Sequence, residues 1–536
     1  MQQPNRPRTV RSASFGAVLA LSLAVLTACG GGGGGSSPPP APPAPPPSTT
    51  IPPSSASAQQ CAPTNANARD MAGNLLAGYR AGTLDTEKQF IRSYYNEAYL
   101  WYSEVPNVDA TAANFSNTSS AAATYQSLDN YFRALKSPTR TASGKQQDEF
   151  SFTFPTAEWN ALSSGNPGGY GIEWAVIQGA PPRSIRIAFV EPGSPAAAAG
   201  LARGDTLVSV NGNDVINGNN VTVINQALFP QLNQTYNFVF RPTGGTGSTD
   251  KTATLTAASI QQSPVLTSSI ITRGTQRIGY LQYTTFLAQN GEGQLVTAFQ
   301  NFATQGITDL VLDLRYNGGG YVYISSQLGY MIAGNARTNG RIFEKSQFND
   351  KRTADNARAA TPFFNTTSGF TGSGTTANAP LPTVNLGRVY VITKGDTCSA
   401  SELIINALRG IDVEVILIGS TTCGKPYGFT AKDNCGVSYF PIEFKGINAK
   451  GFGDYADGFI PGGTGPTGVP GCAAVDDFNK PLGDPTEGML SVALTRATTG
   501  ACPAASVALG KQMKPGAGLE DGFIVRHPVR ASAFHK

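Results

Sequence analysis

The stretch GDTCSASELIINALRGIDVEVILIGSTTCGK, residues 395–425, holds two serines one residue apart, Ser399 and Ser401, at the opening of an apolar, helix-periodic run. A β-branched strand follows, and then a lone Gly-Lys ending on Lys425. Serine at a strand-to-helix turn together with a semi-buried lysine suffices for nucleophilic catalysis without histidine, because burial among apolar groups moves a lysine toward its neutral, proton-accepting form. VEVILIG before the lysine and PYGF after it suit that burial. Histidine is scarce: the chain has 2, His527 and His535, both near its C-terminal end. That argues against a Ser-His-Asp triad in the body and against HExxH zinc chemistry. The bland alternatives are serines that only cap a helix and an ordinary surface lysine. Cys398 is a rival nucleophile, but no histidine is available to activate it.

The elements that must position these residues alternate in type. RIGYLQYTTFL (277–287) reads as a strand, 293–305 as an amphipathic helix, and ITDLVLDLRYNGGG (307–320) as a buried strand running into glycines. A helix over 322–332, an excursion over 335–386 rich in Thr, Gly and Asn, and a strand over 388–393 come next. Such βαβ alternation implies a largely parallel α/β core with its site at strand ends. Beyond it lie a strand over 437–444 and a helix over 485–498. Upstream, LDTEKQFIRSYYNEAYLWY (84–102) spaces its aromatic residues as a helix does, which predicts a packing stripe rather than a ligand platform. A second helix is predicted over 121–135.

Residues 169–259 resemble a PDZ domain. Gly169, Tyr170, Gly171 and Ile172 match the loop that takes a peptide's terminal carboxylate on backbone amides, 172–176 the strand that pairs with the peptide, and VEPGSPAAAAGLARGDTLVSVNG (190–212) the module's central signature. With DLRYNGGG, CSASE and the later Gly-Lys in this order, residues 85–495 resemble the carboxyl-terminal processing (tail-specific) proteases, a serine-lysine peptidase family with a PDZ module. The resemblance implies an α/β crotonase-like catalytic core with a helical N-terminal region and an inserted, mainly β PDZ domain. It places the nucleophile on Ser399, the general base on Lys425, and the oxyanion amides on Gly319 and Ala400. Many members carry Gln or Glu four residues after the lysine to orient its amine; here that residue is Phe429, so Glu402, Thr422 or a backbone carbonyl are the candidates for that role. If Ser399 and Lys425 meet, Cys398 and Cys423 must also be close, which predicts a disulfide between the two loops.

The termini and the bulk composition bear on location and partners. At 536 residues the chain exceeds one compact core, and 40% hydrophobic content suffices for several. Only 14% of residues are charged and the net charge is +4, without a basic stripe, so no nucleic-acid partner is expected. Arg6, Arg8 and Arg11 precede an apolar run of about thirteen residues, the pattern of a secretion signal. LTACG around Cys29 resembles the lipobox of bacterial lipoproteins, which implies lipidation at Cys29 and a place in the bacterial cell envelope. With Cys29 set aside, six of the 7 cysteines remain, an even number suited to disulfides in an oxidising compartment.

The chain therefore divides into a signal (1–28), a Gly/Pro-rich linker (29–60), a helical region (61–168), a PDZ domain (169–259), a peptidase core (265–500) and a tail (501–536). The expected function is an exported, lipid-anchored serine endopeptidase that docks unstructured protein tails in its PDZ groove, with no cofactor and no metal. The rivals are a catalytically silent peptide-binding protein and an esterase or acyl transferase on the same scaffold.

Overall fold

The structure, a computed structural model, describes residues 50–505 apart from positions 71 and 359. The signal, Cys29, most of the linker, and the tail beyond residue 505, with His527 and His535, lie outside the described residues. Among the described residues no helix is long and apolar enough to cross a membrane.

The central sheet has six strands in the order Val265–Arg273, Gln276–Tyr283, Asp309–Asp313, Arg388–Thr393, Glu414–Gly419, Gly471–Ala473. Its first pair is antiparallel and every later pair is parallel. Parallel strands bury both faces, and here successive side chains divide cleanly between them. Leu310, Leu312, Val389, Val391, Val415 and Leu417 face the helices Gly291–Gln305, Val322–Ala333 and Ala400–Gly410. Val311, Tyr390, Ile392, Ile416 and Ile418 face the helix Gly488–Thr499. Each fully buried aliphatic side chain contributes about 1.5–3 kcal/mol, so the βαβ reading is fixed by this two-sided burial. The loops after Asp309–Asp313, Arg388–Thr393 and Glu414–Gly419 leave the same carboxyl edge of the sheet, where open α/β sheets place their sites.

The Asp and Arg of DLRYNGGG hold one of those loops. Arg315 is wholly buried and pairs with Asp313 (2.8 Å), Glu487 (2.8 Å) and Asp476 (2.9 Å). Removing one partner of such a buried set leaves an uncompensated charge at a cost of about 3–5 kcal/mol. Arg203 of the PDZ domain joins the set through Asp476 (2.5 Å) and the Tyr316 hydroxyl (2.7 Å).

The PDZ sheet runs Lys251–Thr256, Thr235–Arg241, Thr206–Val210, Ser184–Val190, Ile172–Gln178, which leaves Ile172–Gln178 at an edge. The helix Val221–Leu228 packs against the strand Thr206–Val210.

The N-terminal region differs from a purely helical one. The helix Leu84–Ala98 is closed by a Thr83–Thr86 capping box, and its aromatic stripe packs as expected, Tyr95 lying 4.7 Å from Tyr99 and 5.0 Å from Phe132 between ring centroids. The region also supplies the strand Phe152–Pro155, which pairs with Val437–Phe440 of the core, and the Cys61–Cys435 disulfide reinforces that union. The end of the linker is docked rather than free: Ser54 is buried and gives its amide and hydroxyl to Glu97 at 2.6 and 2.7 Å. The excursion over 335–386 contributes strands to a second sheet, ordered Ala360–Pro362, Ile342–Phe348, Phe444–Ile447, Tyr427–Gly428.

Candidate active site

Ser399 sits at the N-cap of the helix Ala400–Gly410 with φ 54° and ψ −116°, a left-handed conformation uncommon for a residue bearing a Cβ. Strained torsions of this kind cost about 1–3 kcal/mol and persist only where the surroundings impose them. Here the surroundings are stitched tightly. The Asn317 carbonyl accepts the Cys398 amide at 3.2 Å and the Ser401 hydroxyl at 2.9 Å, and the Leu314 carbonyl accepts the Thr397 hydroxyl at 2.9 Å. Ser401 is thus wholly buried and committed to the backbone, while Ser399 is half-buried and its hydroxyl donates to no described residue.

Glu402 ties the serine turn to the lysine loop. Its carboxylate is wholly buried and accepts the amides of Ser399 (3.2 Å), Gly424 (2.8 Å) and Lys425 (2.7 Å), together with the Thr422 hydroxyl (2.5 Å). Burial pushes this carboxyl up, against the pull of those four donors. The expected Cys398–Cys423 disulfide is present, with Cα atoms 5.3 Å apart, and it pins the same two loops. The other four cysteines among the described residues join as Cys61–Cys435 and Cys472–Cys502. Cys398, Cys423 and Glu402 cluster with metal-ligand atom types, but the two sulfurs are bonded to each other and the carboxylate already serves three amides and a hydroxyl.

Lys425 is 3% exposed, and burial lowers its amine from 10.5 to about 7, with Glu402 and Asp148 pulling the other way. The amine lies 4.4 Å from the centroid of the Phe429 ring and 5.4 Å from that of Phe150. Where an orienting carboxamide or carboxylate was expected, an aromatic face flanks the nitrogen; Glu402 orients the lysine's backbone instead.

The glycine loop approaches the serine closely. A Cβ on Gly319, whose φ is +100°, would lie 2.7 Å from Ser399 Cβ and 2.9 Å from Ala400 N. The Ala400 amide has no partner among the described residues, but the Gly319 amide donates to Asn317 Oδ1 at 2.9 Å. Of the two expected oxyanion donors, only that of Ala400 is therefore uncommitted.

Ser399, Lys425, Gly319 and Ala400 line one cavity of about 990 Å³, and Gly169, Tyr170, Gly171 and Ile172 line it too. Tyr170 is a PDZ core residue, packed 5.3 Å from Phe238, so in that loop only its backbone is left for a ligand. Three contributors escaped the sequence. Asp148 and Phe150 come from the N-terminal region and carry no motif, and Asn317 lies inside one but acts through its carbonyl. The role of Glu402 had a signal, since Ser-x-x-Glu is capping-box spacing.

The fold and the site together define a PDZ-bearing α/β protein in which a serine at a strained helix cap and a buried lysine line the same cavity as the PDZ loop. Family models agree segment by segment: the peptidase S41 N-terminal domain over residues 86–152, a PDZ domain over 161–227 and peptidase family S41 over 277–432. The stretch 277–432 thus carries a peptidase S41 domain, preceded by an S41 N-terminal domain and a PDZ domain.

The chain is similar to a chloroplastic C-terminal processing peptidase of Tetradesmus obliquus, 28% identical over 185 residues. That match takes in 32% of this chain and 39% of the relative, so it spans well under half of the relative's length. A crystallised candidate S41 protease from Bacteroides fragilis matches 77% of this chain and 97% of its own at 23% identity and a TM-score of 0.56, a likeness of fold. The photosystem II D1 C-terminal processing protease matches 71% of this chain and 92% of its own at 19% identity and a TM-score of 0.43.

Proposed function

We propose that this chain is an exported serine endopeptidase, lipid-anchored through Cys29 in the bacterial cell envelope, that cleaves C-terminal tails or unfolded polypeptides with Ser399 and Lys425. The observation that carries the reading is the shared cavity: a serine hydroxyl without a described acceptor and a lysine amine held near 7 line the same space as an unpaired PDZ strand edge. The peptide adds as a strand to Ile172–Gln178, its terminal carboxylate on the amides of 169–172. Its chain continues to Ser399 on the core, which we read as crotonase-like.

Neutral Lys425 takes the Ser399 proton as Oγ attacks the scissile carbonyl, and the resulting ammonium gives that proton to the leaving amine. The Ala400 amide receives the oxyanion; Gly319 serves as second donor on releasing Asn317 Oδ1. Water then hydrolyses the acyl-serine by the same proton route. The Phe429 ring stabilises the ammonium through its face, a substitute for the missing hydrogen-bond partner.

Ser399→Ala is expected to abolish peptide cleavage and labelling by a serine-reactive phosphonate while leaving the thermal midpoint unchanged. Cleavage by pure Ser399→Ala protein overturns the assignment.

A further inference from the structure

Resting on the peptidase reading, one buried acid in the cavity has no part in the chemistry. Glu344 is 2% exposed, yet it lines the same cavity as Ser399 and Lys425. It lies on the strand Ile342–Phe348, which packs against the helix that begins after Ser399 and is joined through Phe444–Ile447 to Tyr427–Gly428, just beyond Lys425. Within this strand Glu344 and Ser346 point inward and Lys345 outward, as strand alternation requires. Gly446 leaves room for the carboxylate, since a Cβ there would stand 3.0 Å from Glu344 Oε1.

Among the described residues no lysine, arginine or histidine pairs with Glu344. Its partners are the Ser346 hydroxyl at 2.8 Å and the Thr361 hydroxyl at 3.5 Å. Burial raises its carboxyl to about 7. A buried carboxylate without a cation is costly, and the two hydroxyls offset only part of that cost. Tyr427, Phe444, Tyr455 and Leu403 also line the cavity and supply apolar walls. Carboxylate and apolar walls together suit a side chain with a long aliphatic stem and a charged tip.

We propose that Glu344 forms the floor of a subsite that takes a lysine or arginine side chain from the peptide bound across Ser399. The bound cation supplies the charge partner that the free protein lacks. Glu344 is a specificity-determining residue: it touches substrate but moves no proton in the reaction.

The test uses full-length Ser399→Ala protein and fluorescein-labelled peptides in which one lysine is moved through each position and matched by norleucine, which keeps the stem and removes the charge. Fluorescence anisotropy is expected to show lysine bound roughly 10–100-fold more tightly than norleucine at one position, the value of a charge-assisted bond. Glu344→Gln, which preserves shape, is expected to bring that ratio close to one. Equal affinities at every position overturn the proposal without recourse to any variant, and so does a lysine preference that survives Glu344→Gln. Because the readout is binding, a preference that holds while Ser399 protein cuts none of the peptides supports this subsite and overturns the peptidase reading instead.

Discussion

Replacing Lys425 with methionine keeps an apolar stem between the Phe150 and Phe429 rings and removes only the amine. Burial takes that amine from 10.5 to about 7, so about half of it is neutral at pH 7, against roughly 1 in 3,000 for an ordinary lysine. The rate of phosphonate labelling at Ser399 is therefore expected to rise with pH through a midpoint of about 7, and Lys425→Met is expected to lower it roughly 10²–10⁴-fold. The same shift governs stability. The native lysine sheds its proton near 7 and the unfolded one near 10.5, so between these values the unfolded chain holds more protons and stability rises with pH. Below about pH 7 the native state carries the full cost of a buried ammonium, on the order of 3–5 kcal/mol. Methionine has no such cost: by urea unfolding the variant is expected to be more stable than wild type at pH 6, with the difference shrinking as pH approaches 10.5. A labelling limb centred above pH 9, or a methionine variant less stable than wild type at pH 6, would show that Lys425 is not a desolvated, neutral base.

Two further outcomes follow from the loops around the serine. Gly319→Ala places a methyl carbon 2.7 Å from Ser399 Cβ and 2.8 Å from the Cys398 carbonyl at a φ of +100°, so Ser399 labelling should fall at least about 100-fold and the thermal midpoint should fall with the roughly 1–3 kcal/mol of backbone strain. Labelling at the wild-type rate would show that the two loops are not in contact. The paired change Cys398→Ser with Cys423→Ser opens a link across 25 residues and should lower the unfolding free energy by about 3 kcal/mol, read from the urea midpoint. It should also reduce kcat, since the bond holds the serine and lysine loops together; unchanged midpoint and kcat would contradict this role.

Much of the fold was legible because its signals are local. The strand Arg388–Thr393 and the helices Gly291–Gln305 and Ala121–Ala134 fall where β-branched runs and helical spacing put them. What each serine hydroxyl bonds to was not legible: that of Ser401 is spent on the Asn317 carbonyl, which the glycine loop brings in from far along the chain. The strand Ile342–Phe348 was not legible: EKSQ at its centre reads as polar surface, and only pairing with Phe444–Ile447 turns Glu344 inward. Phe152–Pro155 was hidden for the same reason, since its partner lies far along the chain in Val437–Phe440.

The sequence by itself determined which chemistry is available: two histidines outside the body, a serine at a helix start, and a lysine set among apolar residues. It also determined the alternation that builds a parallel sheet and so places three loops at one edge. Only the tertiary structure decided what the lysine experiences. Asp148 and Phe150 arrive from the N-terminal region, Phe429 closes over the amine, and Glu402 joins the serine and lysine backbones through its carboxylate. The physical reason is range. Propensity and periodicity act over one or two turns of chain, whereas desolvation of an amine depends on every atom packed around it, whatever its position in the sequence.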